Sequence, residues 1–268
     1  MFERLKSMLP LPGRKGAGPP PDVNLIAPER LVLCIGDVHG RFDLLKQLLA
    51  QVDSLVERRL DDQQPQPHLV FVGDYVDRGE NSAEVLEWLF QLQQQLPGNV
   101  FCLMGNHEKM LLEFIDDPAV RGQRWLRNGG LQTMASFGIG GVSETSDAET
   151  LTEASNRLVS AMSEGMVTWL RKMPVIYQSG NVCVAHAAMD PQLAPDDQSS
   201  QVLIWGHNEF MTTPRQDGIW VVHGHTVIKE PKVHHSRIEI DTGAYYTGRL
   251  TAAVIDVGSC EFIQTGTV

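Results

Sequence analysis

The chain has 268 residues, of which 42% are hydrophobic and 21% are charged, and its formal net charge at pH 7 is −11. This length and composition predict a globular protein with a sizeable core, built as one large domain or as a domain with an insertion. The negative charge argues against general nucleic-acid binding, which depends on clustered Lys and Arg.

The cysteines and the apolar runs point to a compartment. Cys34, Cys102 and Cys183 lie inside apolar runs, Cys260 lies near the C-terminus, and no Cys-x-x-Cys spacing occurs. This pattern predicts buried free thiols in a reducing compartment. No apolar run approaches the roughly 18 residues that span a membrane, and the N-terminus has no continuous apolar segment before a small-residue cleavage site. We therefore expect a cytoplasmic protein that does not bind membranes; its oligomeric state stays open.

The N-terminal segment has an unusual composition. Residues 1–30 are rich in Pro and Gly, which is typical of a segment without a packed core of its own. We predict a mobile tail over residues 1–30 and a single folded domain over residues 31–268. A short partner-docking helix at the very start is the alternative.

Strand-like and helical patterns alternate in the first half. Apolar runs at residues 31–35, 69–72 and 100–104 have the length of buried strands. Between them, apolar residues recur at helical spacing from residue 42 to about 59 and from residue 83 to about 92. This βαβαβ order predicts parallel strands whose carboxyl ends share one edge of a sheet.

Polar side chains follow each of these three strands. Asp37 and His39 follow the first, Asp74 the second and Asn106 the third. The intervals are close to the roughly 30 residues that a strand–helix–strand unit needs, so we expect these four side chains to converge. Oxygen ligands mixed with imidazole suit Mn²⁺, Fe²⁺ or Zn²⁺ better than Ca²⁺. The sequence therefore predicts a metal site at this edge.

A mostly helical stretch follows. Residues 110–172 are expected to form a helical lid or specificity module over the strand ends. Within it, residues 128–130 beside Trp125 are interpreted as a turn or a helix stop. Glu108 is interpreted as a residue at a helix start without a catalytic role.

The last third has a different pattern. Four short runs have strand length and β-branched content, and no helical pattern separates them: residues 182–185, 219–222, 237–240 and 250–255. We predict that they form a second sheet. The first run ends in His186, and the second is followed by His223 and His225. Two imidazoles at strand ends would supply what the first cluster lacks for a second metal.

These segments closely resemble the PPP, or calcineurin-like, metallophosphoesterases, and most closely the serine/threonine protein phosphatases of bacteria and phages. The resemblance covers residues 31–257 and rests on motifs in one order: GDVHG at 36–40, GDYVDRG at 73–79, GNHE at 105–108, His186, and GHT at 224–226. It implies an α/β fold, a four-layer α/β/β/α sandwich with two mixed β-sheets and a helical insertion over the site.

The resemblance also implies two divalent metal ions, most simply Mn²⁺, with Fe or Zn as alternatives. One ion would be held by Asp37, His39 and Asp74. The other would be held by Asp74, Asn106, His186 and His225, with Asp74 as the bridge. The Gly-His-Thr match selects His225 over His223, which ends its strand two residues earlier.

The same resemblance implies catalytic roles. His107, paired with Asp77, would be the general acid, and Arg78 and Asn106 would bind the substrate phosphate. A hydroxide bridging the two metals would attack the phosphorus directly, so no serine or cysteine nucleophile is needed.

One position departs from the family pattern. Many relatives carry a phosphate-binding Arg after an apolar–Trp pair, where this chain has His207. Either His207 makes a weaker, pH-dependent contact with phosphate, or another arginine such as Arg215 takes that role.

The expected activity is hydrolysis of phosphoserine and phosphothreonine in proteins or phosphopeptides. The first alternative is hydrolysis of dinucleoside polyphosphates or other nucleotide-like phosphoesters, because related enzymes reuse this metal core. The second alternative belongs to another class, a non-catalytic metal-binding scaffold that retains the fold.

Overall fold

The computed structural model describes residues 25–59 and 65–266. The first 24 residues of the predicted tail therefore lie outside the described residues. Its last part contacts the domain: Ile26 is buried in the core between the sheets, and the Ala27 amide donates to the Asn181 side chain at 2.7 Å. The folded unit thus already includes residues 25–30.

Ten strands among the described residues form two five-stranded sheets. The first sheet has the order β10-β9-β1-β2-β3 and contains β1 (Val32–Ile35), β2 (His68–Phe71), β3 (Val100–Cys102), β9 (Thr251–Asp256) and β10 (Ser259–Gln264). The second has the order β4-β5-β6-β8-β7 and contains β4 (Ile176–Ser179), β5 (Val182–Ala185), β6 (Trp220–His223), β7 (Lys232–His234) and β8 (Arg237–Glu239).

Both sheets are mixed, as predicted. In the first sheet β1, β2 and β3 run parallel, and in the second β5, β6 and β8 run parallel. In the first sheet β9 pairs antiparallel with both β1 and β10, and in the second sheet the two outer pairs, β4 with β5 and β7 with β8, are antiparallel. Each sheet therefore brings the carboxyl ends of three adjacent parallel strands to one edge. The candidate site residues follow strands that end at this edge.

One predicted strand belongs to the other sheet. The run at residues 250–255 was expected in the second sheet, but β9 pairs antiparallel with β1 in the first. Its alternate residues face two cores: Val254 faces the helices, and Ala253 and Ile255 face the second sheet. An apolar run predicts a buried strand, but it does not specify which strand is its partner.

The helices lie mainly on the outer face of the first sheet. They are α1 (Phe42–Arg59), α2 (Ser82–Gln95), α3 (Asn106–Asp116), α4 (Pro118–Trp125), a π-helical turn (Leu126–Gly130), α5 (Leu131–Ser136), α6 (Ala148–Ala161) and α7 (Met166–Arg171). In the second half lie a 3₁₀ turn (Pro195–Asp197), α8 (Ser200–Trp205) and α9 (Ala244–Thr247). The boundaries of α1 match the predicted helix because its apolar residues recur on one face and are buried.

Three buried clusters define four layers. Apolar side chains of α1 and α2 pack on Leu33, Ile35 and Phe71 of the first sheet. A second cluster fills the space between the two sheets. A smaller third cluster lies on the outer face of the second sheet, where Leu203 of α8 and Phe210 cover it. The four-layer α/β/β/α sandwich is thus present, with a thin fourth layer.

The helical insertion extends the helical layer. Phe114 and Trp125 stack at 4.7 Å between ring centroids, and both belong to the same core as α1 and α2. The segment from Trp125 into α5 reaches the turn after β2. In the part of the chain that the structure describes, no helix is both long and apolar enough to cross a membrane.

Candidate active site

The ends of five parallel strands supply the candidate residues. Asp37 and His39 follow β1, Asp74 follows β2, Asn106 begins α3 after β3, His186 follows β5, and His225 follows β6. His225 is half-buried, and the other five are buried. Both sheets therefore contribute to one polar cluster, which we call the metal cluster.

Asp74 lies at the centre of the metal cluster. Its Oδ2 lies 3.5 Å from His39 Nε2 and 3.8 Å from His107 Nε2. Its Oδ1 lies 3.4 Å from His186 Nε2. Two groups of potential metal ligands result, one of His39, Asp74 and His107 and one of Asp74, His186 and His225. One carboxylate shared by two groups is the arrangement that a bridging ligand requires.

Three donor atoms converge on the second of these groups. His186 Nε2 and His225 Nδ1 each lie 2.8 Å from Asn106 Oδ1. An amide oxygen between two imidazole nitrogens combines the hard and intermediate ligand types that divalent transition metals accept.

Two imidazoles are oriented by backbone carbonyls. His39 Nδ1 lies 2.9 Å from the Val76 carbonyl, and His186 Nδ1 lies 3.1 Å from the Val72 carbonyl. A hydrogen bond from Nδ1–H fixes the tautomer and leaves a lone pair on Nε2, as in metal-binding histidines. Burial lowers the pKa of His39 to about 3 and that of His186 to about 4, so both rings are neutral and able to act as ligands.

The surroundings of the Asp37 carboxylate show whether a cation fits this site. Its Oδ2 accepts the His225 amide at 3.0 Å, while its Oδ1 is buried without a hydrogen-bond partner among the described residues. A Cβ on Gly224 would lie 1.8 Å from that Oδ1, so only glycine fits there. Burial, with nearby Asp241 and Asp74, raises the pKa of Asp37 well above its usual value. A buried carboxylate oxygen without a partner, beside other carboxylates, fits a bound cation.

A second group of residues adjoins the first. His107 Nδ1 lies 2.6 Å from Asp77 Oδ2, and His107 Nε2 lies 3.1 Å from an Arg78 guanidinium nitrogen. Burial alone would lower the pKa of His107, but the Asp74 and Asp77 carboxylates raise it. The structure therefore brings the predicted His107–Asp77 pair and Arg78 together at the metal cluster.

Side chains of the helical insertion donate hydrogen bonds to Asp77. The sequence did not indicate this contact. Trp125 Nε1–H donates to both Asp77 carboxylate oxygens at 3.0 Å, and the Thr133 hydroxyl donates to Oδ1 at 2.7 Å. The Gly129 carbonyl accepts the Arg78 amide at 3.3 Å. Residues 128–130 thus contact the Asp77–Arg78 turn in addition to forming a helical turn.

Glu108 also differs from its sequence interpretation. Its Oε2 accepts the amides of Asp74 and Gly105, at 2.8 and 3.1 Å, and its Oε1 accepts those of Tyr75 and Val76, at 2.7 and 3.2 Å. One buried carboxylate thus binds four backbone N–H groups around the metal cluster. The sequence signal that could have indicated a role at the site was the position of Glu108 in the GNHE motif, two residues after Asn106. The motif does not specify which backbone amides the carboxylate accepts.

Backbone strain is concentrated at the site. Seven described residues other than glycine have positive φ, and five of them are candidate site residues: His39, Asp74, Asp77, Arg78 and His225. The left-handed region costs an L-residue about 1–2 kcal/mol, so surrounding contacts must hold these turns.

Other predicted residues lie elsewhere. His207 lies 3.6 Å from Asp190, and its Nδ1 accepts the Glu209 amide at 3.3 Å; neither contact reaches the metal cluster. Arg215 is tied to Asp217 and to backbone carbonyls. His223 is buried against Phe210 on the outer face of the second sheet. Of the two competing histidines, the structure therefore places His225 in the cluster.

A family model provides the first comparison with known proteins. The model, described as calcineurin-like phosphoesterase, matches residues 30–235 of this chain. That range contains every candidate residue named above, from Asp37 to His225.

Individual relatives are similar over most of their length. The asymmetrical bis(5′-nucleosyl)-tetraphosphatase PrpE of Oceanobacillus iheyensis is 27% identical over 234 residues, which cover 81% of this chain and 86% of that protein. A solved structure assigned as a diadenosine tetraphosphatase has a TM-score of 0.59 at 21% identity, covering 90% of this chain and 96% of that one.

A protein serine/threonine phosphatase from Saccharomyces cerevisiae, similar to human PP5, has a TM-score of 0.54 at 17% identity, covering 90% of this chain and 81% of that one. At these identities, the two solved structures show the fold alone. Because the family model matches more than half of the sequence, the chain belongs to the calcineurin-like phosphoesterase family.

Proposed function

We propose that the protein hydrolyses dinucleoside polyphosphates, with bis(5′-nucleosyl) tetraphosphates as the main substrates. The observation that carries this proposal is the similarity to the PrpE tetraphosphatase, which extends over 81% of this chain and 86% of the relative. The sequence alone favoured a protein phosphatase, and this similarity favours the alternative.

The residues around Asp74 would hold two divalent ions, with Mn²⁺ as the first choice. Asp37, His39 and Asp74 would bind one ion, and Asp74, Asn106, His186 and His225 the other. The mixed carboxylate, amide and imidazole donors and the partnerless Asp37 Oδ1 support this. Such ions neutralise phosphoryl oxygens and lower the pKa of water.

The remaining groups would act on the polyphosphate itself. The forked guanidinium of Arg78 suits two phosphoryl oxygens, and its 3.1 Å contact with His107 supports a role for both groups at the same phosphate. Asn106 adds an amide group there. His107 would donate a proton from Nε2 to the leaving oxygen, since the Asp77 carboxylate on Nδ1 favours the protonated ring. Water adds to one phosphorus, and the P–O–P bond breaks.

A serine/threonine protein phosphatase is the second candidate. The observation that favours it is the match of the GDYVDRG and GNHE segments to that group of enzymes. Under this candidate, a phosphoprotein or phosphopeptide would be the substrate, and the same His107 would protonate the serine or threonine oxygen.

The test compares two substrates with one protein sample. Metal-stripped protein is assayed with and without Mn²⁺ on diadenosine tetraphosphate, with chromatography of the nucleotides, and on a phosphothreonine peptide, with detection of released phosphate. We expect Mn²⁺-dependent cleavage of the dinucleotide, with AMP and ATP as products if cleavage is asymmetrical. Release from the peptide alone would favour the second candidate, and inactivity on both with metal bound would overturn both candidates and favour the non-catalytic metal-binding scaffold.

A further inference from the structure

A tyrosine pair borders the phosphate side of the site. Tyr245 lies in α9, with its ring centroid 4.9 Å from the guanidinium carbon of Arg78 and 5.5 Å from the His39 ring. A cation over a ring face is an attractive contact, so Tyr245 holds Arg78 against the metal cluster. The α9 turn therefore borders the proposed phosphate site at Arg78.

Tyr246 lies one ring further out and is open to solvent. Its side chain is 61% exposed, and its centroid lies 4.9 Å from that of Tyr245, at 68° between the planes. Its ring lies close to Gly243, where a Cβ would come within 2.4 Å of Tyr246 Cε1. The Tyr246 ring thus contacts the protein at Gly243 and Tyr245, while most of its side chain is accessible.

The turn that carries both rings is well fixed. It is bounded by Gly243 and Gly248, which have φ of 67° and 73°. The Thr247 hydroxyl contacts the carbonyls of Thr242 and Gly243 at 2.8 and 2.9 Å. A ring on such a short, tied turn loses little freedom when a ligand packs on it, which favours binding.

We propose that Tyr246 is the nucleobase-binding residue of this protein, stacking the base of the nucleoside whose phosphate lies at Arg78. This rests on the proposed function, because a phosphopeptide substrate would bring no base. In a nucleotide, one sugar separates phosphate from base, and here one aromatic ring separates Arg78 from Tyr246. Stacking uses the π-face that all bases share, so the site accepts nucleosides of more than one kind.

The test separates base recognition from phosphate recognition. Inhibition constants for AMP and for inorganic phosphate, with diadenosine tetraphosphate as substrate, are measured for wild type and for Tyr246→Ala, Tyr246→Phe and Tyr246→Trp. In Tyr246→Ala we expect the ratio of the AMP constant to the phosphate constant to rise about tenfold, and KM for the dinucleotide to rise similarly. The Phe and Trp variants retain the ring and the wild-type ratio.

A matched control is Val257→Ala, which shortens a 60% exposed apolar side chain on the turn between β9 and β10. We expect it to leave the ratio and KM unchanged. If the wild type cleaves the dinucleotide and Tyr246→Ala has the wild-type ratio of the AMP constant to the phosphate constant, the stacking proposal alone is overturned. Cleavage of the phosphopeptide but not of the dinucleotide would overturn the proposed function and this inference together.

Discussion

The indole N–H of Trp125 donates to both carboxylate oxygens of Asp77 at 3.0 Å, and Oδ2 of the same carboxylate lies 2.6 Å from His107 Nδ1. The helical insertion is thereby connected to the candidate general acid through one buried side chain. Asp77 is fully buried, so its charge depends on these donors instead of water.

Removing the indole donor should impair turnover more than binding. In Trp125→Phe, Asp77 loses a hydrogen bond to a charged group, which is typically worth about 1.5–3 kcal/mol. We expect kcat to fall about tenfold or more, with KM within about twofold, because the change acts on the orientation of His107. Steady-state kinetics on the confirmed substrate measure this.

Trp169→Phe is the matched control for that variant. The Trp169 indole also donates one hydrogen bond, to the Gln93 side chain at 2.7 Å, but neither residue is among the hydrogen-bond partners that the structure gives Asp77. Equal losses of kcat in both variants would contradict a positioning role for Trp125.

Asp74→Asn should abolish metal binding. Asp74 offers one oxygen to each group of ligands, so the amide removes a negative charge from both at once. We expect Mn²⁺ to raise the melting temperature of the wild type but not of Asp74→Asn, and metal analysis after dialysis to agree. Asp190→Asn, a carboxylate outside the cluster, should respond to Mn²⁺ as the wild type does.

His107→Asn should separate proton donation from metal binding. Loss of a general acid typically costs about 10²–10⁴-fold in rate. We expect kcat to fall by this amount while the Mn²⁺ content and the melting temperature of the metal-loaded protein stay close to wild type. A large loss of metal in this variant would instead make His107 a ligand, consistent with its place in the first ligand group.

Glu108→Gln should destabilise the fold around the site. The amide nitrogen of Gln would face two backbone N–H donors that one carboxylate oxygen now accepts, leaving them unpaired at about 1–3 kcal/mol. We expect a lower free energy of unfolding in urea and lower activity. Glu113→Gln, which weakens a partly exposed pair with Lys109 on the same helix, should change stability by less than about 0.5 kcal/mol.

Acid should weaken the fold partly through His68. Burial, followed by the charge of Arg30, lowers the pKa of His68 to about 4, below its unfolded value of about 6.5. A group whose pKa falls on folding stabilises the protein above the unfolded pKa, and this contribution is lost as pH falls from 6.5 towards 4. The melting temperature of His68→Phe should therefore drop less than that of wild type between pH 7.5 and pH 5. Equal drops in wild type and in His68→Phe would contradict a contribution from His68.

Much of the candidate site was predictable because its residues follow short apolar runs directly. Parallel strands bring their carboxyl ends together, so Asp37, Asp74 and Asn106 could be expected to meet from spacing alone. The order of strands along the chain predicted parallel strands in the first half and a second sheet, and the family resemblance implied that both sheets are mixed. These features depend on local pattern and on the general geometry of parallel sheets.

Other features depend on contacts that a local pattern does not encode. The partner of β9 is β1, more than 200 positions earlier, and an apolar run looks the same in either sheet. Trp125 and Thr133 have the spacing of ordinary core residues in a helix, and only the fold turns their polar atoms towards Asp77. Glu108 sits at a helix start, where a carboxylate is common for unrelated reasons.

The metal cluster takes Asp37, His39, Asp74 and Asn106 from the first sheet, and His186 and His225 from the second. Ions bound there would cross-link the two sheets at one edge. Separation of the sheets would then require release of the ions, and heat resistance would depend on free metal concentration. The cell's supply of divalent cations would thus govern the lifetime of the folded protein as well as its turnover.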